Sequence, residues 1–242
     1  GRVAKNYRSS PVHAAGEDLP HFAKLVQQTP NAFVLDLGCG TGHTAAAVAP
    51  FSKQVIALDL THEMLEQVEQ FAAEKELTNI ETRIGDAEQL PFEENTFDLI
   101  VSRYSAHHWP HPQTALKECR RVLKPNGRLI LGDVIASEEP SLDTFLQTIE
   151  LLRDASHVRD HSVSQWERML TEVGFKSRVV LNWLIPIDFI RWTTRMATPQ
   201  AKTNMIKALF EQASSEVKTA FQLSSEGNFV IGGALFESAK EN

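Results

Sequence analysis

Short apolar runs and stretches with helical periodicity alternate along most of this chain. The run Val55–Leu58 is apolar at every position, which is typical of a strand covered on both faces of a parallel sheet. Segment 61–75 instead repeats apolar residues such as Leu65, Val68 and Ala72 at helical spacing. The predicted strands are residues 32–37, 55–58, 80–85, 97–101, 128–134, 175–185 and 228–238, and the predicted helices are 14–29, 42–50, 61–75, 112–123, 140–156 and 163–173.

This alternation predicts an α/β protein with a parallel sheet and right-handed crossovers. After residue 135 the rhythm changes. About forty residues, 186–227, lie between the predicted strands 175–185 and 228–238 and are rich in helix formers and bulky apolar groups. We interpret this insertion either as a helical cap over a site or as a dimer interface, because an exposed apolar surface serves both purposes.

A glycine-rich turn follows the first predicted strand. The strand contains Asp36, and glycines follow at alternate positions, Gly38, Gly40 and Gly42. Glycine lets the backbone turn tightly and approach a ligand closely. A strand, a glycine turn and a helix N-terminus together favour a nucleotide cofactor. A dinucleotide fingerprint, G-x-G-x-x-G, would need its last glycine where His43 stands, which argues against an NAD(P)-linked oxidoreductase.

The acid followed by G-x-G-x-G resembles the first motif of the class I S-adenosylmethionine (SAM)-dependent methyltransferases. The resemblance implies that the turn lies under the amino-acid part of SAM and that S-adenosylhomocysteine is the product. It also implies that Asp59 binds the ribose hydroxyls and that Asp86 accepts a hydrogen bond from the adenine amine. A helix N-terminal acid and an ordinary turn residue are the respective alternatives. The implied cofactor-binding residues are Asp36, Gly38, Cys39, Gly40, Gly42, Asp59, Leu60, Asp86, Ala87 and Arg103.

Several segments together resemble the branch of this family that contains the quinone-ring C-methyltransferases and their uncharacterised bacterial relatives. The segments are Asp36–Gly42, Asp59, Asp86–Phe92, Phe97–Trp109 and Leu123–Asp133. The resemblance implies a Rossmann-like, mostly parallel seven-stranded sheet with an antiparallel last strand and a helical cap inserted between strands six and seven. We expect a single domain, 1–242, with a SAM-binding core at about 30–135 and cap elements at about 138–173 and 186–227.

The segment after the fourth strand contains the candidate catalytic residues. His107 and His108 are candidates for a general base because imidazole titrates near neutral pH, and packing of the pocket wall is the alternative. Asp133, near the end of strand five, is a further candidate to face the substrate. No acid or cysteine joins these histidines at ligand spacing, so we expect no metal. The residues predicted for the substrate pocket are Tyr7, Tyr104, Trp109, Arg153 and His157.

Two arginines in the presumed cap have two interpretations. Arg153 and Arg159 are suited to hold an anionic group of the substrate, because guanidinium binds carboxylate and phosphate well. They are equally suited to ion pairs with Asp154 and Asp160.

Composition narrows the function further. The 242 residues carry a net charge of −7, which disfavours nucleic acid as a partner. No apolar run approaches the roughly 20 residues needed to span a bilayer. Cys39 and Cys119 suggest no disulfide scaffold, so a cytoplasmic location with reduced thiols is expected.

The sequence hypothesis is therefore an enzyme that transfers a methyl group from SAM to a small-molecule acceptor by in-line displacement. A catalytically silent SAM-binding or partner-binding protein on the same scaffold is the alternative. A homodimer is compatible with either.

Overall fold

The computed structural model describes residues 16–241. Its strands are β1 (Ala32–Leu37), β2 (Ser52–Asp59), β3 (Ile80–Ile84), β4 (Phe97–Arg103), β5 (Leu123–Ile135), β6 (Phe175–Ile187) and β7 (Phe229–Lys240). They form one seven-stranded sheet in the order β3-β2-β1-β4-β5-β7-β6. β1 to β5 run parallel, and β7 is antiparallel to both of its neighbours, β5 and β6. The predicted fold class is confirmed.

The helices in the described part of the chain follow the predicted alternation. They are α1 (Leu19–Gln27), α2 (His43–Val48), α3 (His62–Glu74), α4 (Pro112–Val122), α5 (Pro140–Arg153), α6 (Val163–Glu172), α7 (Phe189–Arg195), α8 (Gln200–Gln212) and α9 (Ser215–Ala220). Local chemistry fixes several of their starts. α6 begins with a capping box in which Ser162 and Gln165 each accept the other's backbone amide. Pro112 and Pro140 are the first residues of α4 and α5. Proline is tolerated there because the first N–H groups of a helix have no partner within the helix.

Side chains alternate between the two faces of the sheet, and each face has its own core. On β1, Val34 joins a core built with α1, α2, α3 and the helices after β6. Leu35 and Leu37 join the other core, built with α4 and α6, where Trp166 is fully buried. Burial on both faces explains why these strands are apolar at consecutive positions.

Residues 123–127, predicted as a helix end and a turn, instead form the start of β5. Phe97 of β4 pairs with Leu123, but Leu99, two residues later, pairs with Arg128. Asn126 lies between them with φ of 63°, a left-handed conformation that asparagine tolerates. The turn residues are therefore accommodated as a bulge inside a continuous strand.

Helices α7, α8 and α9 form the predicted insertion between β6 and β7, and α8 and α9 pack against α5. The rings of Phe189, Trp192 and Phe210 cluster with Phe229 of β7 at centroid separations of 5.1 to 6.3 Å. These aromatic contacts fix the insertion to the sheet. On its outer side, Ile190 is 72% exposed. Within residues 16–241, every helix is too short or too polar to cross a membrane.

Candidate active site

The turn between β1 and α2 contains three glycines in left-handed conformations. φ is 68° at Gly38, 52° at Gly40 and 86° at Gly42. A β-carbon added to Gly38 would lie 1.9 Å from Oγ of Ser105, whereas one added to Gly40 would meet no atom within 4 Å. The turn is therefore closed against the protein at Gly38 and open at Gly40, where a ligand can approach the backbone.

Backbone hydrogen bonds fasten this turn to β2. The amides of Gly38 and Cys39 both donate to the carbonyl of Leu58 at 2.9 Å. Burial raises the pKa of the Cys39 thiol well above its ordinary value, so this side chain is a neutral packing group. Cys39 and Cys119 are both free and buried.

Asp59 ends β2 and directs its carboxylate at the turn. Its Oδ2 accepts the Gly40 amide at 3.0 Å, and its Oδ1 accepts the Thr61 amide at 3.1 Å and the Thr61 hydroxyl at 3.2 Å. Burial raises the pKa of this carboxyl, and the hydrogen bonds from Thr61 and Gly40 oppose the shift. Asp59 therefore both borders the glycine turn and fixes the residue that precedes α3.

Asp36 is a buried acid whose oxygens lack partners. It is 1% exposed, and no described residue meets hydrogen-bond geometry at either carboxylate oxygen, although the Ala45 amide is close enough to lower the pKa of Asp36. Burial raises its pKa to about 7, with the charge of Asp59 adding to the shift and the Ala45 amide and Arg103 opposing it. Because buried polar groups are nearly always hydrogen-bonded, this acceptor beside the turn indicates a place for a donor on a bound ligand.

Asp86 follows β3 at the same edge of the sheet. Its Oδ1 accepts the Glu88 amide at 2.9 Å, which is the turn role that the sequence left as an alternative. The Gly85 amide donates to the Asp59 carbonyl at 3.0 Å, so the turn at Asp86 lies beside the end of β2. Leu60, directly after Asp59, is 67% exposed. The ends of β2 and β3 therefore bring acidic groups and one exposed apolar side chain together.

Arg103, predicted to contact the cofactor, is the last residue of β4, which continues past its predicted end at residue 101. Its buried guanidinium pairs with Asp18, with nitrogen–oxygen distances of 2.5 and 2.8 Å. The guanidinium also lies 4.6 Å from the centroid of the Tyr104 ring. The ion pair links the residue before α1 to the sheet, a contact that the sequence analysis did not identify.

His107 is paired with Asp133 of β5. Oδ1 of Asp133 lies 2.7 Å from Nδ1 of His107, and Oδ2 accepts the His107 amide at 3.0 Å. Burial disfavours the charged ring, but the charge and hydrogen bond of Asp133, with Asp160 and Glu150 nearby, raise the pKa of His107 to about 9. His107 is therefore protonated at neutral pH, which argues against the base role predicted for it.

The ring of His108 lies against that of His107, with ring centroids 4.2 Å apart and ring planes inclined by 51°. Its Nδ1 lies 3.0 Å from the carbonyl oxygen of Ser156, which places the proton of the neutral ring on Nδ1. Burial, together with the charge of His107, lowers the pKa of His108 to about 4. His108 is neutral at pH 7 but is not among the described residues that line the neighbouring cavity, so its geometry favours the packing alternative.

A cavity of about 50 Å³ is lined by the segment after β4, by α5 and α7, and by residues of β5, β6 and β7. Tyr104, His107 and Arg153, which the sequence predicted for catalysis or substrate binding, all line it. Trp192 of α7 lines it from the opposite side. One of the inserted helices, α7, therefore forms part of the cavity wall, and the cap interpretation of the insertion stays a prediction.

The prediction for Trp109 is corrected. Its side chain belongs to the apolar core on the other face of the sheet and does not line this cavity. The 3-10 turn Ala106–His108 is the reason, because it directs His107 towards one face and Trp109 towards the other.

The remaining pocket predictions have different outcomes. His157 is 7% exposed and lies beside the cavity, with its ring centroid 5.9 Å from that of His107. Its Nε2 is 3.0 Å from Oε1 of Gln147, and burial lowers its pKa, so the ring is neutral. Tyr7 lies outside the described residues.

The two arginines of the cap are both held in ion pairs. Arg153 contacts Glu150 at 2.6 Å, and Arg159 contacts Asp143 at 2.5 Å. Both arginines form ion pairs, but not with Asp154 and Asp160, which the sequence analysis named; Arg153 also lines the cavity, so its role in substrate binding stays a prediction. Glu150 is favoured because i, i+3 spacing on α5 places it one turn before Arg153.

Several cavity residues were missed in the sequence, namely Glu150, Asp160 and Arg195. Glu150 is a charged residue directly beside the buried Ile149 of α5, and this position could have marked it as a buried charge. Asp160 lies in an irregular segment with many charges, where no pattern marks it. Among residues 16–241, no group of three or more His, Cys, Asp or Glu side chains is arranged to hold a metal ion.

Comparison with known proteins agrees with this geometry. Residues 35–131 match the family model of a methyltransferase domain. The chain is 38% identical to the uncharacterized methyltransferase YcgJ of Bacillus subtilis over 93% of this chain and 89% of that protein. The crystal structure of YcgJ aligns with a TM-score of 0.86 at 36% identity, covering 92% of this chain and 99% of that one.

Another relative, whose name states its activity, matches a smaller part of the chain. The ubiquinone/menaquinone biosynthesis C-methyltransferase UbiE of Agrobacterium fabrum is 34% identical over 59% of this chain and 59% of that protein. The match to YcgJ spans nearly the whole of both chains. The chain therefore belongs to the class I SAM-dependent methyltransferases, and SAM is its cofactor.

Proposed function

We propose that this methyltransferase methylates a small-molecule acceptor held in the cavity under the inserted helices. The observation that carries the proposal is the contact between the two halves of the site. Ser105 lies against Gly38 of the glycine turn. Tyr104, directly before it, and His107, two residues after it, both line the cavity. A cofactor on the turn and an acceptor in the cavity would therefore meet at residues 104–107. A cavity of about 50 Å³ suits part of a small molecule better than a folded macromolecule.

The described residues fit SAM. The open side of Gly40 would admit its amino-acid part, and the carboxylate of Asp36 would accept a hydrogen bond from its ammonium group. Asp59 would accept from the ribose hydroxyls, while Asp86 and the exposed Leu60 would contact the adenine. When bound, SAM supplies an electrophilic methyl group on a sulfonium. The leaving group is neutral, so the protein needs no acid to assist its departure.

The protein therefore has to align the methyl donor with the acceptor and exclude water from them. Holding two reactants in line supplies roughly 7–11 kcal/mol in favourable cases. Trp192 and the isoleucines Ile185 and Ile187 provide an apolar wall that keeps water from the acceptor. His107 brings a positive charge to the same cavity. Its role would be to stabilise negative charge on the acceptor and to orient it.

Replacing Asp36 with asparagine is expected to stabilise the cofactor-free protein while weakening cofactor binding. The pKa of Asp36 in the folded protein, about 7, lies above its ordinary value of 3.8, so the folded state holds the extra proton between these values. Stability therefore falls as pH rises through this window. Without the charge, the free energy of unfolding at pH 8 should rise by roughly 1–3 kcal/mol, and affinity for S-adenosylhomocysteine should fall about tenfold.

Denaturant unfolding at pH 4 and pH 8 measures the first effect, and calorimetry measures the second. The gain in stability should be much smaller at pH 4 than at pH 8. A variant that is less stable than the wild type at pH 8, or that binds the cofactor product equally well, contradicts the role given to Asp36.

Replacing Asp133 with asparagine is expected to lower the pKa of His107 from about 9 by about 1–3 units, because the imidazolium loses its charged partner. The pKa of His107 in the folded protein exceeds its ordinary value of 6.5. The pair with Asp133 therefore contributes its full stabilisation below pH 6.5, and this stabilisation is lost as the pH rises through about 9. NMR titration of the His107 ring measures the pKa directly. Asp98→Asn, at the far end of β4, is the control and should leave it unchanged; the same pKa in both variants would refute the pairing.

Transfer of a labelled methyl group tests the proposed function. The purified protein is incubated with methyl-labelled SAM and a fractionated metabolite extract, supplemented with hydroxylated ring compounds because one relative is named a quinone C-methyltransferase. We expect label in a small product, formed one-to-one with S-adenosylhomocysteine. Binding of S-adenosylhomocysteine without transfer to any fraction would favour the catalytically silent alternative.

A further inference from the structure

The carboxylate of Asp160 lies at the wall of the cavity with an oxygen that has no hydrogen-bond donor. The residue is 2% exposed, and no described residue donates to its Oδ2. Nε2 of His157 is 3.9 Å away and is 3.0 Å from Oε1 of Gln147, to which it donates. Leaving a buried carboxylate unsatisfied is costly, so its donor is expected on a molecule bound in the cavity.

Backbone contacts fix the position of Asp160 from two sides. Gln147 of α5 accepts the Asp160 amide at 3.1 Å and donates to the Asp160 carbonyl at 2.8 Å. The amides of Val158 and Arg159 donate to the carbonyl of His107 at 2.9 and 3.1 Å. The segment that carries Asp160 is therefore tied both to α5 and to the turn that carries His107, which sets the two side chains on the same cavity.

The other charges around the cavity select an uncharged ligand group. Glu150 is paired with Arg153, and Asp133 with His107. An anion would approach the carboxylates of Asp160 and Glu150 at close range. An ammonium group would approach Arg153, the protonated His107 and Arg195. A neutral group that donates a hydrogen bond avoids both penalties, and a hydroxyl is the simplest such group.

The size and the apolar part of the cavity agree with this choice. Its volume of about 50 Å³ is several times the roughly 10–15 Å³ that one water molecule requires. A hydroxyl and the first atoms of its carbon skeleton therefore fit. Ile185, Ile187 and Trp192 provide the apolar surface that the skeleton would contact.

We propose that Asp160 is the residue that binds and activates the acceptor: its Oδ2 accepts the hydrogen bond, and then the proton, of a hydroxyl group on an uncharged molecule. The proton passes to Oδ2, the electron pair of the O–H bond stays on oxygen, and the resulting oxyanion lies beside the protonated His107. This inference rests on the proposed function and names the acceptor class for the same site.

The protonation behaviour of Asp160 is consistent with this role. Burial raises its pKa well above the ordinary value, the charges of Glu150 and Asp133 add to the shift, and His107 and Arg153 oppose it. A raised pKa means that the ionised carboxylate of Asp160 binds a proton more strongly than an exposed carboxylate does.

Binding of three matched probes tests the proposal. Phenol offers a hydroxyl donor, anisole lacks the donor, and benzoate is an anion of similar size. Each is titrated into isotope-labelled protein saturated with S-adenosylhomocysteine, and NMR follows the amides of Asp160 and His107 and the indole of Trp192. We expect phenol to bind at least about tenfold more tightly than anisole or benzoate, as one charge-assisted hydrogen bond allows.

Variants assign the preference to Asp160. Asp160→Leu removes every acceptor and should abolish the preference for phenol. Asp160→Asn keeps the shape, in case the leucine variant does not fold, and should reduce the preference to about threefold because a neutral acceptor is roughly half as strong. Asp98→Asn, on the surface near the start of β4, is the matched control and should keep the full preference.

The outcomes separate this inference from the proposed function. Equal binding of phenol and anisole, an unchanged preference in both Asp160 variants, or shifts confined to other residues would overturn the role of Asp160. Calorimetry with S-adenosylhomocysteine on the wild type is the independent check: normal binding without a hydroxyl preference rejects only the inference, whereas absence of binding rejects the proposed function itself.

Discussion

Replacing Gly40 with alanine is expected to leave the protein folded and to lower its affinity for S-adenosylhomocysteine at least about 100-fold, or roughly 2.7 kcal/mol. The new β-carbon would meet no protein atom within 4 Å, so the folded chain has room for it. A left-handed alanine costs about 1–2 kcal/mol, a modest loss of stability. The added methyl group instead fills the space through which the cofactor reaches the turn. Calorimetry measures the affinity, and thermal unfolding measures the stability.

Gly38→Ala is the matched comparison for this experiment. Its β-carbon would lie 1.9 Å from Oγ of Ser105, so the protein itself must move. We expect this variant to lose clearly more stability than Gly40→Ala, because the segment after β4 is displaced. If Gly40→Ala binds the cofactor product as tightly as the wild type, no ligand approaches the open side of this turn and the assignment of the site is wrong.

Replacing Asp59 with asparagine is expected to lower the affinity for S-adenosylhomocysteine by about 100-fold. Hydrogen bonds to a charged acceptor are worth about 1.5–3 kcal/mol each, and the ribose offers two hydroxyls to this carboxylate. The amide group of asparagine would also direct donor hydrogens at Gly40 or Thr61, whose amides now donate to Asp59. Both effects reduce binding, and calorimetry measures their sum.

Thr61→Ala is the control for Asp59. It removes the hydroxyl that donates to the same carboxylate at 3.2 Å but keeps the backbone amide contact. We expect its affinity to stay within about threefold of the wild type, since one partly exposed hydrogen bond is lost. An Asp59→Asn variant that binds as well as this control would show that the carboxylate does not hold the ribose.

Most of the fold could be predicted from the sequence because its signals are local. Consecutive apolar positions such as Val55–Leu58 mark strands buried on both faces, and the glycine turn marks the junction of β1 and α2. The start of β5 was wrong because turn residues around Asn126 were accommodated as a bulge. Local turn preference predicted a break there, but pairing with β4 and β7 kept the strand continuous.

The cofactor half of the site could be anticipated for a geometric reason. The carboxyl ends of parallel strands meet at one edge of the sheet, so acids at the ends of β1, β2 and β3 lie together. The cavity half could be anticipated only in part: Tyr104, His107 and Arg153 were predicted, but the contacts between segments far apart in the chain were not. The charge of His107 depends on Asp133, 26 residues later, and Asp160 reaches the same cavity from the segment after α5.

The sequence also did not indicate on which face of the sheet some side chains lie. His107 and Trp109 are two residues apart in one short turn, yet they face opposite sides of the sheet. Arg103 was predicted near the cofactor because of its place after strand four, but its pairing with Asp18 depends on how the segment before α1 returns to the sheet.

A crystal structure of the complex with S-adenosylhomocysteine tests the central claim most directly. The account predicts both ribose hydroxyls within hydrogen-bond distance, about 2.6–3.0 Å, of the Asp59 carboxylate oxygens, with the amino-acid part over Gly40 and the adenine beside Leu60 and Asp86. A ligand bound at another edge of the sheet, or a ribose that contacts neither oxygen of Asp59, would contradict it.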